Sequence, residues 1–192
     1  MMEAGVTATE ADGIRASLVR MGLADPSQDV ALTPLTGGVS SMIVRADVGG
    51  RSLCVKRALS KLKVARDWEA PVERSNAEAA WIREATAIVP DAVPRLLGQD
   101  AASFAFAMAY LDPAEFPVWK AQLLAGVAET TTASAVATNL VAIHNATANR
   151  LDLAARFANH DSFFALRLDP YFVVAAEQHT DCKAALDQIV TR

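Results

Sequence analysis

The chain has 192 residues, 52% of them hydrophobic and 21% charged, with a formal net charge of −4. This length and apolar content suffice for one good core and exclude a disordered chain, and no apolar run is long enough to span a bilayer. The mildly acidic balance argues against a general nucleic-acid binder, and two widely separated cysteines, Cys54 and Cys182, predict neither a disulfide framework nor a metal site.

The opening MMEAGVTATEADG is acidic and polar and lacks the basic-then-apolar order of a secretory signal, so a cytoplasmic protein is expected. Thr7 to Met21 predicts a helix. Thr7 and Glu10 have capping-box spacing, Ile14, Leu18, Val19 and Met21 supply an apolar stripe, and Gly22 ends it. Val30 to Leu35 predicts an edge strand, where Pro34 can lack an amide.

The stretch LTGGVSSMIVRADVGGRSLCVK, from Leu35 to Lys56, carries the most information. Gly37 and Gly38 remove side chains where a backbone could approach a ligand, and Ser40 and Ser41 add hydroxyls beside them. Met42, Val44 and Ala46 alternate with Ile43, Arg45 and Asp47 as in a half-buried strand. Gly49-Gly50 suits a tight hairpin, after which Leu53, Cys54 and Val55 form a buried strand delivering Lys56. The basic residues Arg57, Lys61, Lys63 and Arg66 follow as a solvated run.

A helix from about Val72 places Ala77, Trp81, Ile82, Ala85 and Ile88 on one side. Glu78 lies on or beside that stripe, where a carboxylate needs a partner. Lys56 is one candidate, and Arg74 or Arg83 along the helix are the others. Arg95 to Gly98 and Ser103 to Tyr110 predict two further strands, with Gln99-Asp100 as the turn between them and Phe104, Phe106, Met108 and Tyr110 on one face. Asp112-Pro113 ends the sheet, and from Ala114 onward the pattern is helical. Helices are expected over Phe116–Gly126, Thr131–Thr147 with His144 as a core or inter-helix residue, Leu151–Phe157, Ser162–Leu168 and Tyr171–Gln178. The last of these starts at an Asp169-Pro170 cap, and a final helix starts at Asp181. The acidic positions Asp112, Glu115 and Asp169 suit helix caps better than a site for a cationic acceptor. The fold class is therefore α+β: five strands with one helix inserted after the third, then helices.

LTGGVSS, LCVKRAL, the span from Trp68 through ERSNAEAAWI, FAMAYL, WKAQLLAG, LVAIHNAT and FFALRLDPY together resemble the aminoglycoside phosphotransferase and methylthioribose kinase branch of the protein-kinase-like superfamily, over roughly residues 30 to 180. The resemblance implies a five-stranded nucleotide-binding lobe over 1–111 and the first helices of a helical lobe over 112–192. It implies ATP-dependent phosphorylation of a small-molecule hydroxyl, with magnesium as the metal. Lys56 and Glu78 would be the phosphate-binding pair. The amides of Gly37, Gly38, Val39, Ser40 and Ser41 would cover the phosphates, and Ala109, Tyr110 and Leu111 would form the hinge that meets an adenine edge.

That family's catalytic loop reads His-x-Asp and, after four further residues, Asn, with a magnesium-binding Asp beyond it. Here His179-Thr180-Asp181 is followed by Leu186 at the Asn position, His144 lacks the Asp, and His160-Asp161 has no Asn where one is needed. The expectation is a chain truncated before that loop, with its magnesium ligands in the missing part, and inactive by itself. The alternatives are a non-catalytic nucleotide-binding or interaction module and an inactive fragment. Uncovered helical faces would then favour self-association or a second chain.

Overall fold

The computed structural model describes residues 6–35 and 38–191. Helix α1 (Ala8–Arg20) begins at the expected capping box: the Thr7 hydroxyl accepts from the Glu10 amide, and the Glu10 carboxylate accepts from the Thr7 amide at 2.9 Å. Five strands follow, β1 (Ala31–Pro34), β2 (Ser41–Val48), β3 (Arg51–Ala58), β4 (Leu96–Asp100) and β5 (Ala105–Ala109). They form one antiparallel sheet in the order β1-β2-β3-β5-β4, with helix α2 (Arg74–Ile88) inserted between β3 and β4.

The period-two pattern of the strands assigns the two faces. Met42, Val44, Ala46 and Val48 of β2, Leu53 and Val55 of β3, and Ala107 of β5 pack with Ile14 and Leu18 of α1 into the main core. The opposite face carries Phe106, which packs with Ala79 and Ile82 of α2 and with the partly buried Leu96 and Met108. Because successive strand residues alternate, Ile43, Arg45, Cys54 and Lys56 share the α2 side with Phe106. Gly49 and Gly50 both have positive φ, 56° and 74°, which is what a two-residue turn matched to the twist of β2 and β3 requires. Pro34 sits on the edge strand, where it removes no central ladder bond.

Several expectations need correction. Gln99 and Asp100 belong to β4 and do not form its turn. Asp100 is held by Ser17 and Arg20 of α1, while Gln99 bonds Asn76 and Arg83 of α2, so each residue is tied into the sheet. The turn is instead a single 3₁₀ turn at Ala101–Ser103, closed by Phe104 in the left-handed region (φ 53°). Phe104 therefore falls outside the β5 alternation, and Tyr110 lies just past the strand. Trp81 is 46% exposed; the buried side of α2 is Ser75, Ala79, Ala80, Ile82 and Ala85. Small residues let that helix approach the sheet closely, which turns the indole outward.

The second half contains α3 (Trp119–Leu124), α4 (Thr130–Thr147), α5 (Leu151–Arg156), α6 (His160–Phe163), α7 (Val174–Gln178) and α8 (Lys183–Val190). Between α6 and α7 the chain does not restart at Asp169-Pro170; it runs through as a π-helix, Phe164–Val173, with Pro170 inside. In that i→i+5 register the amide of residue 170 would bond the Ala165 carbonyl, and proline has none. The Trp68 indole, from the loop after β3, donates to that carbonyl at 3.0 Å. This outside donor is why a proline that should begin a helix can sit within one. His144 is exposed and so not a core residue, although it lines the space between α2 and α4–α5, and the cap of α8 is Cys182, one residue beyond Asp181. Asp112 does cap locally, accepting from the Ala114 amide at 2.9 Å. Among the described residues, no helix is long and apolar enough to cross a membrane.

Candidate functional site

Lys56 leaves β3 on the α2 side of the sheet, its backbone paired with Ile43 of β2 and Phe106 of β5. Glu78 lies one turn into α2, and α2 is pressed onto the sheet by Ala79 and Ile82 against Phe106. The two side chains meet at 2.6 Å between Nζ and Oε1. Of the three candidate partners for Glu78, the structure selects Lys56. Arg83 goes to Gln99, and Arg74 turns back to backbone carbonyls. The Lys56 side chain is 21% exposed and that of Glu78 40%, so the pair is neither sealed in the core nor loose on the surface. A half-shielded cation fixed by a carboxylate can still face an anion on its open side, and partial burial makes that attraction stronger than in bulk water.

The turn before β2 lies beside this pair. Gly37 falls outside the described residues. A Cβ at Gly38 would come 3.2 Å from Ile43 Cδ1, so the backbone runs close to the strand there. The Val39 carbonyl accepts from the Lys63 amide at 2.8 Å and the Ser40 carbonyl from the Leu59 amide at 3.1 Å. Since a trans peptide points its N–H opposite to its C=O, these bonds turn the amides of Ser40 and Ser41 away from those partners. Among the described residues none accepts from the amides of Gly38, Val39 or Ser40. Val39 is half exposed and Ser41 is buried.

At the other end of the same face, Ala109 closes β5 and its amide is taken by the Arg95 carbonyl at 2.9 Å. The backbone groups of Tyr110 and Leu111 are left as the ones that could meet a ligand edge. The Arg45 guanidinium covers the Tyr110 ring at 4.9 Å, and Leu111 is 42% exposed. Cys54 lies two residues before Lys56 on the same strand face; it is buried among packing residues, and burial pushes its thiol up. Arg74, whose four contacts with backbone carbonyls bind the turn, β3 and α2, went unremarked in the sequence except as a rival partner for Glu78.

Among the described residues no group of three or more His, Cys, Asp or Glu side chains could hold a metal ion. The Lys56 ammonium could attract an anion, but the described residues around it supply no ligand set for magnesium. A separate apolar cavity of about 430 Å³ lies between α2 and α4–α5, lined by Trp81, Leu140, Ile143, Leu153 and Phe157 among others. Its lining includes neither the turn at 38–41 nor Lys56 and Glu78. Comparison with protein-family models and with curated proteins returned no match.

Proposed function

We propose that the sheet half of this chain binds the phosphates of ATP, and that the chain belongs to an ATP-dependent phosphotransferase of small-molecule hydroxyls with a protein-kinase-like fold. The observation that carries this reading is the Lys56–Glu78 ion pair, between the third strand and the helix inserted after it. Such a pair supplies a positive charge to phosphate oxygens and fixes where that charge points. Among the described residues the amides of Gly38, Val39 and Ser40 have no backbone acceptor, and the lack of a side chain at Gly38 suits the approach of such donors to a phosphate. Tyr110 and Leu111 then stand where a base edge would lie. ATP bound there supplies the transferable phosphoryl group; the residues of this chain hold and orient its phosphates. None of the three histidines carries the His-x-Asp and Asn pattern, so proton transfer from the acceptor hydroxyl is assigned to no residue described here.

The test is titration of the full chain with ATP in the presence of magnesium, followed by calorimetry or fluorescence. Lys56→Ala and Glu78→Ala should each weaken binding about 10- to 100-fold, the range expected for losing a charge-assisted contact. Equal affinities for wild type and both variants would remove the phosphate-binding role.

A further inference from the structure

Arg74 is the first residue of α2, a poor place for a cation, because the helix N-terminus is already positive. It is also partly buried, and burial pulls its guanidinium down from the ordinary value, with Glu78 and Glu73 opposing. What offsets these costs is a complete set of acceptors. One terminal nitrogen, Nη1, donates to the carbonyls of Ala70 and Pro71, and the other, Nη2, to those of Ser40 and Leu59, all within 2.9 Å. Those four bonds use all four terminal N–H groups of the fork.

The four carbonyls belong to three different pieces. Ser40 is in the turn that leads into β2, Leu59 is three residues past Lys56, and Ala70 and Pro71 lead into α2. Glu78 lies one helical turn beyond Arg74. We infer that Arg74 is a positioning residue that sets the turn at 38–41 in register with the Lys56–Glu78 pair, so that backbone amides and ammonium address one phosphate group together. This rests on the phosphate-binding reading above, but the clamp is a property of the protein without ligand. A lysine cannot replace it, since one ammonium has three hydrogens and cannot reach four carbonyls spread around a planar fork.

The test uses the full chain with Arg74→Met and Arg74→Lys. Exchange of the Leu59 and Lys63 amides, which donate to the Ser40 and Val39 carbonyls, should accelerate about tenfold or more in both variants. The Val55 and Ala107 amides in the middle of the sheet should keep their rates. Magnesium–ATP should bind about tenfold more weakly to both variants, while adenosine, which has no phosphates, should bind as it does to wild type. Unchanged exchange at Leu59 and Lys63 would overturn the clamp, and so would equal losses for ATP and adenosine, which would mean general loosening. Failure of wild type to bind ATP would overturn the phosphate-binding reading, and the exchange rates would then decide the clamp by themselves. Should Arg74→Met not fold, Arg74→Lys, which keeps the charge, carries both measurements.

Discussion

Between Val6 and Tyr110 the chain buries two faces of a sheet against two helices; between Leu111 and Thr191 the buried residues are Leu153 and Ala176. The first half places Phe106, Ile14, Leu18, Val44 and Val55 entirely out of solvent, whereas in the second Leu124 is 81% and Leu151 83% exposed. Each half has ample apolar sequence, so composition does not make the difference. Alternating strands present a continuous apolar face that one helix can cover, while short helices need one another on several sides. The candidate site elements, from Gly38 through Lys56 and Glu78 to Tyr110, sit on the half that has its own core.

The contrast is broken most directly by truncating side chains on each side of it. Phe106→Ala should cost about 3–5 kcal/mol in urea unfolding, and Leu124→Ala within about 0.5 kcal/mol. Comparable costs would mean that the helical half is as well packed as the sheet. A smaller effect should come from Asp100, which ties α1 to β4. Burial by itself would raise its carboxyl, but bonds from Arg20, Ser17 and Ser103 outweigh that and lower it from 3.8 to about 2. Because the folded value is the lower one, the stabilisation is complete above about pH 4 and is lost as pH falls through about 2, amounting to about 2 kcal/mol. Asp100→Asn should remove that slope; an unaltered acid profile would assign acid sensitivity to other groups. Trp68→Phe, which deletes the donor to Ala165, should cost about 1 kcal/mol, with faster amide exchange confined to 164–173. Smallest in stability is the pair Leu124→Glu with Leu151→Glu, within about 0.5 kcal/mol. We propose that these exposed helical faces drive self-association, so sedimentation should show wild type associating with concentration and the double variant less so. Identical sedimentation would locate any association elsewhere.

The sheet was legible because its signals are local. Thr7 and Glu10 announce α1, Gly49-Gly50 the hairpin, and the alternation from Met42 to Asp47 the two faces. Lys56 and Glu78 could be joined because an acid beside a buried stripe demands a partner. What escaped was set by distant residues. Gln99-Asp100 has the composition of a turn, yet becomes a strand through Ser17, Arg20, Asn76 and Arg83 from the two helices. Trp81 followed the helical period but lost its place to alanines that pack closer. Arg74 looked like a helix-surface partner for Glu78, and no spacing rule reveals four carbonyls from three segments.

The bond between Trp68 and Ala165 also makes the loop after β3 sensitive to how the helix at 164–173 is wound. In an ordinary α-helix Pro170 would instead orphan the Leu166 carbonyl, about 100° around the axis from that of Ala165. An indole held at Trp68 can satisfy only one of these two carbonyls. Rewinding 164–173 as an α-helix would therefore leave the Leu166 carbonyl without the donor that now serves Ala165, so the loop after β3 and the winding of this helix are tied through one hydrogen bond.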